Sequence, residues 1–100
     1  MSDNQKIYTI TTMRRSLDMG SRCVGFYFEK HHAIDVVVNN YYDIYEEGYY
    51  PYCVIEGVRE GIYSFPREET WFEWDRDKSC YVKIPNKPEK LNKVCCFSFG

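Results

Sequence analysis

Histidine is scarce in this sequence of 100 residues: His31 and His32 are the only two. Adjacent side chains on a helix diverge by about 100°, so this pair is poorly arranged to chelate one metal ion. Nucleophilic catalysis requires a histidine in reach of a serine or cysteine and of an orienting acid, and nothing in the sequence pairs them. There is no C-x-x-C, and no C-x₂₋₄-C…H-x₃₋₅-H pattern of a zinc site. The phosphate-cradling G-x-x-x-x-G-K-[ST] and G-x-G-x-x-G loops are absent as well. The expectation is a chain without metal, cofactor or catalytic centre, and not an enzyme.

Long apolar runs are also missing. The opening "MSDNQKIYTITT" has no stretch of signal-peptide length, and no segment approaches the roughly 20 apolar residues of a membrane span. The expected compartment is therefore the cytoplasm, with no membrane partner. The five cysteines, Cys23, Cys53, Cys80, Cys95 and Cys96, are odd in number and widely spaced, which fits reduced, partly buried thiols. No linker, low-complexity run or internal repeat interrupts the chain, and its length suits one domain over residues 1–100.

Aromatic residues and charge segregation stand out instead. Aromatics make up 18% of the sequence, and ten residues are tyrosine. Such rings bury about 150–250 Å² each, enough to dominate a small core. Residues 1–30 carry five basic and three acidic groups, residues 31–75 two and ten, and residues 76–100 six and two. An acidic middle between basic ends excludes a general nucleic-acid coat, which needs a broad basic face. It leaves room for local capture of a small anion, or for an acidic surface fitted to a basic protein groove.

The periodicity predicts an α+β domain. "KIYTITTM" (6–13) reads as a strand, "RRSLDMGS" as a hairpin loop in which Gly20 supplies a positive φ, and "RCVGFYFE" (22–29) as the returning strand. On that strand Val24, Phe26 and Phe28 share one face, and Cys23, Gly25 and Tyr27 the other. In "KHHAIDVVVNN" (30–40) a helical stripe of Ala33, Val36, Val37 and Asn40 replaces the alternation, with Asn39-Asn40 as the stop. "DIYEE" reads as a short strand, "PYCVIEGV" (51–58) as a stronger one, and "GIYSF" continues the β character. "ETWFEWD" (69–75) and "SCYVKI" (79–84) form a hairpin through "DRDK". "KPEKLNKV" suits one helical turn, and "CCFSFG" pairs into the sheet. The sum is a mostly antiparallel sheet of about six strands with one main helix packed on one face.

The paired acids Glu46-Glu47 and Glu68-Glu69 read as solvated surface, because catalytic carboxylates must converge in a cleft. The densest stretch is "YYDIYEEGYYPYCVIEGV" (41–58), where six of the first twelve residues are tyrosines and three are carboxylates. Aromatics with a few cations are what a nucleotide pocket needs: a ring for the base, arginines for phosphates and hydroxyls for the sugar. The candidate ligand-binding residues are Arg22, Tyr49, Tyr50, Tyr52, Arg59, Arg67, Trp71 and Phe72, with Trp71 and Phe72 as stacking platforms. Tyrosine is equally at home in subunit contacts, so a homo-oligomer is the competing explanation, and both hold if the pocket lies between subunits.

The order "IYTITT…RCVGFYFE", a helix ending "VVVNN", then "DIYEEGYYPYCVIE", "GIY", "WFEW" and a terminal "FSFG" resembles small proteins of Firmicutes phages and prophages. Within that group it is most similar in layout to the viral Thoeris anti-defence sponge proteins. The resemblance runs over nearly the whole chain. It implies compact sheet-plus-helix subunits that assemble into dimers or larger oligomers. It further implies an anti-defence role in an infected or lysogenic bacterium: sequestering an immune signalling nucleotide, a cyclic ADP-ribose isomer or cyclic oligonucleotide, without cleaving it. The alternative is an anti-CRISPR or similar inhibitor that binds a host immune protein directly, its acidic, tyrosine-rich surface imitating nucleic acid.

Overall fold

β-Branched and aromatic residues without glycine or proline set the first strand of the computed structural model, β1 (Lys6–Met13). The structure describes residues 6–14, 21–59 and 68–88. Strand β2 (Ser21–Tyr27), helix α1 (Lys30–Val38) and strands β3 (Tyr52–Arg59), β4 (Glu68–Asp75) and β5 (Cys80–Ile84) follow in chain order. The five strands form one sheet in the order β2-β1-β3-β4-β5, every neighbouring pair antiparallel. The α+β class is thus as expected, with five strands among the described residues rather than about six. "GIYSF", "CCFSFG" and all but the first two residues of "KPEKLNKV" lie outside the described residues, as does most of "RRSLDMGS".

Helix α1 crosses one face of the sheet, burying Ala33, Val36 and Val37 against Ile10, Cys53, Ile55, Phe72 and Tyr81. It ends where the asparagines were expected to stop it. The Asn39 side chain donates to the Asp35 carbonyl at 2.8 Å, and Asn40 turns into the left-handed region at φ 49°. The opposite face holds a smaller buried cluster of Met13, Val54 and Trp71, flanked by Tyr52 and Ile84.

Two local expectations fail for identifiable reasons. "DIYEE" is no strand: residues 41–43 and 46–48 are 3₁₀ turns, and Asn40, Tyr42, Asp43, Glu46, Glu47 and Gly48 all adopt positive φ. What holds the segment is side-chain packing. Tyr45 stacks on Trp74 at 3.7 Å and 7° between planes, and meets Tyr81 edge-on at 6.0 Å. Such aromatic pairs contribute about 0.5–1.5 kcal/mol each beyond burial. The Tyr81 hydroxyl donates to the Tyr50 carbonyl, and the Trp74 amide donates to the Pro51 carbonyl at 2.8 Å. In β2, the register shifts between Ile10 and Thr11, so that Val24 and Gly25 together face Ile10. This bulge reverses the alternation beyond it. Val24 and Tyr27 pack on the helix-side core, whereas Phe26 and Phe28 turn outward, 53% and 63% exposed.

Candidate ligand cleft

Helix α1 packs on β1, β2, β3 and β5, and a gap remains between its Val36 and the edge strand β2. The cavity measures about 480 Å³, within the usual range for a small-molecule site. Its apolar floor is Ile10, Val36 and Ile44; Val24, Gly25, Phe26 and Tyr27 form the β2 wall, and Tyr42 the rim. Arg22 and Cys23 stand at its β2 end. Gly25 matters to its width, since a Cβ at this position meets no atom within 4 Å. Tyr42 is 89% exposed at φ 63°, a ring held out on a backbone conformation that costs a tyrosine about 1–3 kcal/mol.

Of the expected binding residues, the structure brings Arg22, Tyr49 and Tyr50 together. The Arg22 guanidinium lies 5.2 Å from the centre of the Tyr50 ring and forms an ion pair with Glu46. Arg14, which follows β1, joins the same corner: its guanidinium sits 4.8 Å from the Tyr49 ring centre and 5.8 Å from that of Tyr50. Tyr49 remains 60% exposed.

The remaining candidates are dispersed. Tyr52 points to the other sheet face and packs with the Trp71 cluster. Trp71 is 4% exposed and Phe72 1%, so neither ring offers a stacking surface; the "WFEW" alternation serves two buried faces rather than one buried and one open. Arg59 pairs in register with Lys6, while Tyr52 pairs with Met13. Arg59 therefore stands at the far end of β3, about 20 Å or more from Arg22 at strand spacing. Arg67 lies outside the described residues.

Sequence reasoning overlooked Arg14, Tyr42 and the cleft-lining part of β2. Arg14 and Tyr42 stand in polar segments that carry no periodicity, and the β2 wall depends on the bulge. The cysteines contrast as their surroundings dictate. Burial pushes the Cys53 thiol far above its ordinary range, whereas Cys23 is exposed; both are free thiols. Burial, reinforced by Cys53, Tyr45 and Asp43, likewise raises Tyr81 well above an ordinary phenol. Glu68 moves the other way: its hydrogen bond from Lys30 at 2.7 Å, with a second from Lys6 at 3.2 Å, lowers it against the desolvation that opposes them.

Among the described residues no group of three or more histidine, cysteine, aspartate or glutamate side chains is placed to hold a metal ion, and no helix is long and apolar enough to cross a membrane. Fold and cleft together define an antiparallel α+β domain with a ligand-sized gap between an edge strand and its helix. No protein-family model matches the chain, and no curated protein or solved structure matches it.

Proposed function

We propose that the protein is a non-enzymatic binder that sequesters a nucleotide in the β2–α1 cleft, and that it serves phage counter-defence as the resemblance to nucleotide sponges implies. The observation carrying this reading is the cleft itself: about 480 Å³, with an apolar floor, Tyr27 and Tyr42 at its sides and Arg22 at one end. Tyr27 and Tyr42 replace Trp71 and Phe72 as the rings available to a base, and base stacking contributes about 1–3 kcal/mol each. Arg22 supplies charge for a phosphate, which must displace Glu46 to reach it. Homo-oligomer formation we assign to the β2 edge, where Phe26 and Phe28 meet edge-to-face at 5.8 Å in full view of solvent.

The test is capture followed by release. Protein is incubated with a panel of signalling nucleotides, including cyclic ADP-ribose isomers and cyclic di- and trinucleotides, then desalted and heat-denatured. Mass spectrometry should recover one intact nucleotide in near-stoichiometric yield. Gly25→Trp, which fills the cleft from a position with open space in front of it, should recover none while melting normally. A chemically altered nucleotide contradicts the non-enzymatic assignment, and an empty protein from every mixture overturns the cleft reading.

One observation favours the competing class. Asp43 and Glu47 are exposed beside Tyr41, Tyr42 and Tyr49, an acidic and aromatic surface on a single loop. A direct inhibitor of a basic host immune protein uses that surface, and its binding weakens steeply between low and high salt. Capture in the cleft is told apart by the intact nucleotide released on denaturation.

A further inference from the structure

We infer that Arg14 and Arg22 form a two-arginine seat for a phosphoryl or diphosphate group around Tyr50, with Glu46 occupying part of it. The inference deepens the cleft reading and rests on it for the remainder of the bound molecule. Arg14 leaves β1 just beyond the Met13–Tyr52 pair, and Arg22 enters β2 opposite Thr12, so the sheet delivers both cations to one corner. Their guanidinium centres lie 5.8 and 5.2 Å from the same Tyr50 ring centre. Tyr50 is anchored in turn, because its carbonyl accepts the hydroxyl of buried Tyr81.

Among the described residues the charges at this corner do not balance. There Glu46 pairs with Arg22 alone. Among the described residues Arg14 has no carboxylate partner, and its Nε is buried without an acceptor. A buried donor on a cation that lacks an acceptor is costly, and such groups commonly mark the place of an ion or ligand. A carboxylate such as Glu46 brings two oxygens and one charge, enough for one guanidinium fork. The internal diphosphate of a nucleotide brings two phosphates, each with two non-bridging oxygens and one charge, one for each fork, and the terminal groups of pyrophosphate bring three oxygens apiece. Stacking on tyrosine keeps both forks in place before anything binds. The seat adjoins the cleft through Arg22, which lines both.

Inorganic pyrophosphate is the probe, titrated at low salt while the arginine Nε–Hε signals are followed by NMR. Two arginine signals should move together and saturate, and acetate should not reproduce this. Arg14→Gln should weaken pyrophosphate at least about tenfold, the loss of one charge-assisted hydrogen bond or more. Arg14→Lys keeps the charge but not the fork, and guards against a folding defect; it should also weaken binding, by less. Glu46→Gln should tighten it. Unchanged affinity in both Arg14 variants, or signals that acetate moves equally, overturns the seat. Gly25→Trp separates the two readings. It should abolish nucleotide capture and leave pyrophosphate binding intact. Nucleotide captured equally by wild type and Arg14→Gln, with pyrophosphate inert, refutes the seat and keeps the cleft. Pyrophosphate bound through both arginines with no nucleotide ever captured does the reverse.

Discussion

Trp71 shows at single-residue scale how burial reassigns a role. As an exposed stacking platform, its removal should cost binding and nothing else. Buried with Met13 and Val54, and donating its indole N–H to Glu69 at 3.0 Å, it belongs to the structure. Trp71→Ala is therefore expected to destabilise the domain by about 3–5 kcal/mol, the usual cost of emptying a large core site, as read by denaturant titration. A stable variant that merely loses ligand contradicts this placement. Thiol chemistry separates two other residues in the same way. A thiolate is the reactive species, and burial that raises Cys53 withholds it, so in native protein a disulfide reagent should modify Cys23 quickly and Cys53 only on unfolding. Mass mapping after a short exposure decides it; early modification of Cys53 excludes the packed core described above.

At the scale of elements, the segment between α1 and β3 is the unusual one. Six of its residues have positive φ, five of them not glycine, yet it is held by Tyr45 against Trp74 and by the Tyr81 hydroxyl on the Tyr50 carbonyl. Tyr81→Phe removes that hydrogen bond while keeping the ring. It should cost about 1–2 kcal/mol of stability, measured by thermal melting. It should also weaken pyrophosphate binding, because Tyr50 loses its anchor between Arg14 and Arg22. Intact binding with lowered stability means that the ring's packing alone positions the seat. The β2 bulge acts comparably on the other wall. By placing two residues opposite Ile10, it sends Val24 and Tyr27 inward and leaves Phe26 to solvent.

For the whole molecule, Glu68 ties β4 to β1 and α1 through Lys6 and Lys30. Its carboxyl is lowered in the folded state, so the ionised form is favoured by folding. The sign follows: this contribution is present above the ordinary glutamate range near about 4.3 and fades as pH falls through the lower folded value. Melting of the wild type should therefore lose more stability on acidification to about pH 3 than Glu68→Gln does. Equal acid sensitivity in both removes Glu68 from the account. The effect should be modest, since all three side chains are partly exposed to water.

Local patterning by itself determined most of the architecture. Alternation in "KIYTITTM", "PYCVIEGV" and "ETWFEWD" marks strands, the 3.6 period of "AIDVVV" with two asparagines after it marks the helix and its end, and "DRDK" marks the hairpin turn. These signals are legible because they report backbone geometry residue by residue. The sequence also singled out Arg22, Tyr49 and Tyr50. What only the tertiary structure decided is which aromatics remain open and which cations meet. Trp71 and Phe72 follow the same alternation whether one face of the sheet is buried or both are. Arg14 and Arg22 converge, and Arg59 stands apart, because antiparallel register carries β1's last residues and β2's first to one end of the strands and β3's last to the opposite end. The cleft depends on a one-residue bulge and on a loop shaped by packing rather than propensity, and neither leaves a periodic trace in the chain.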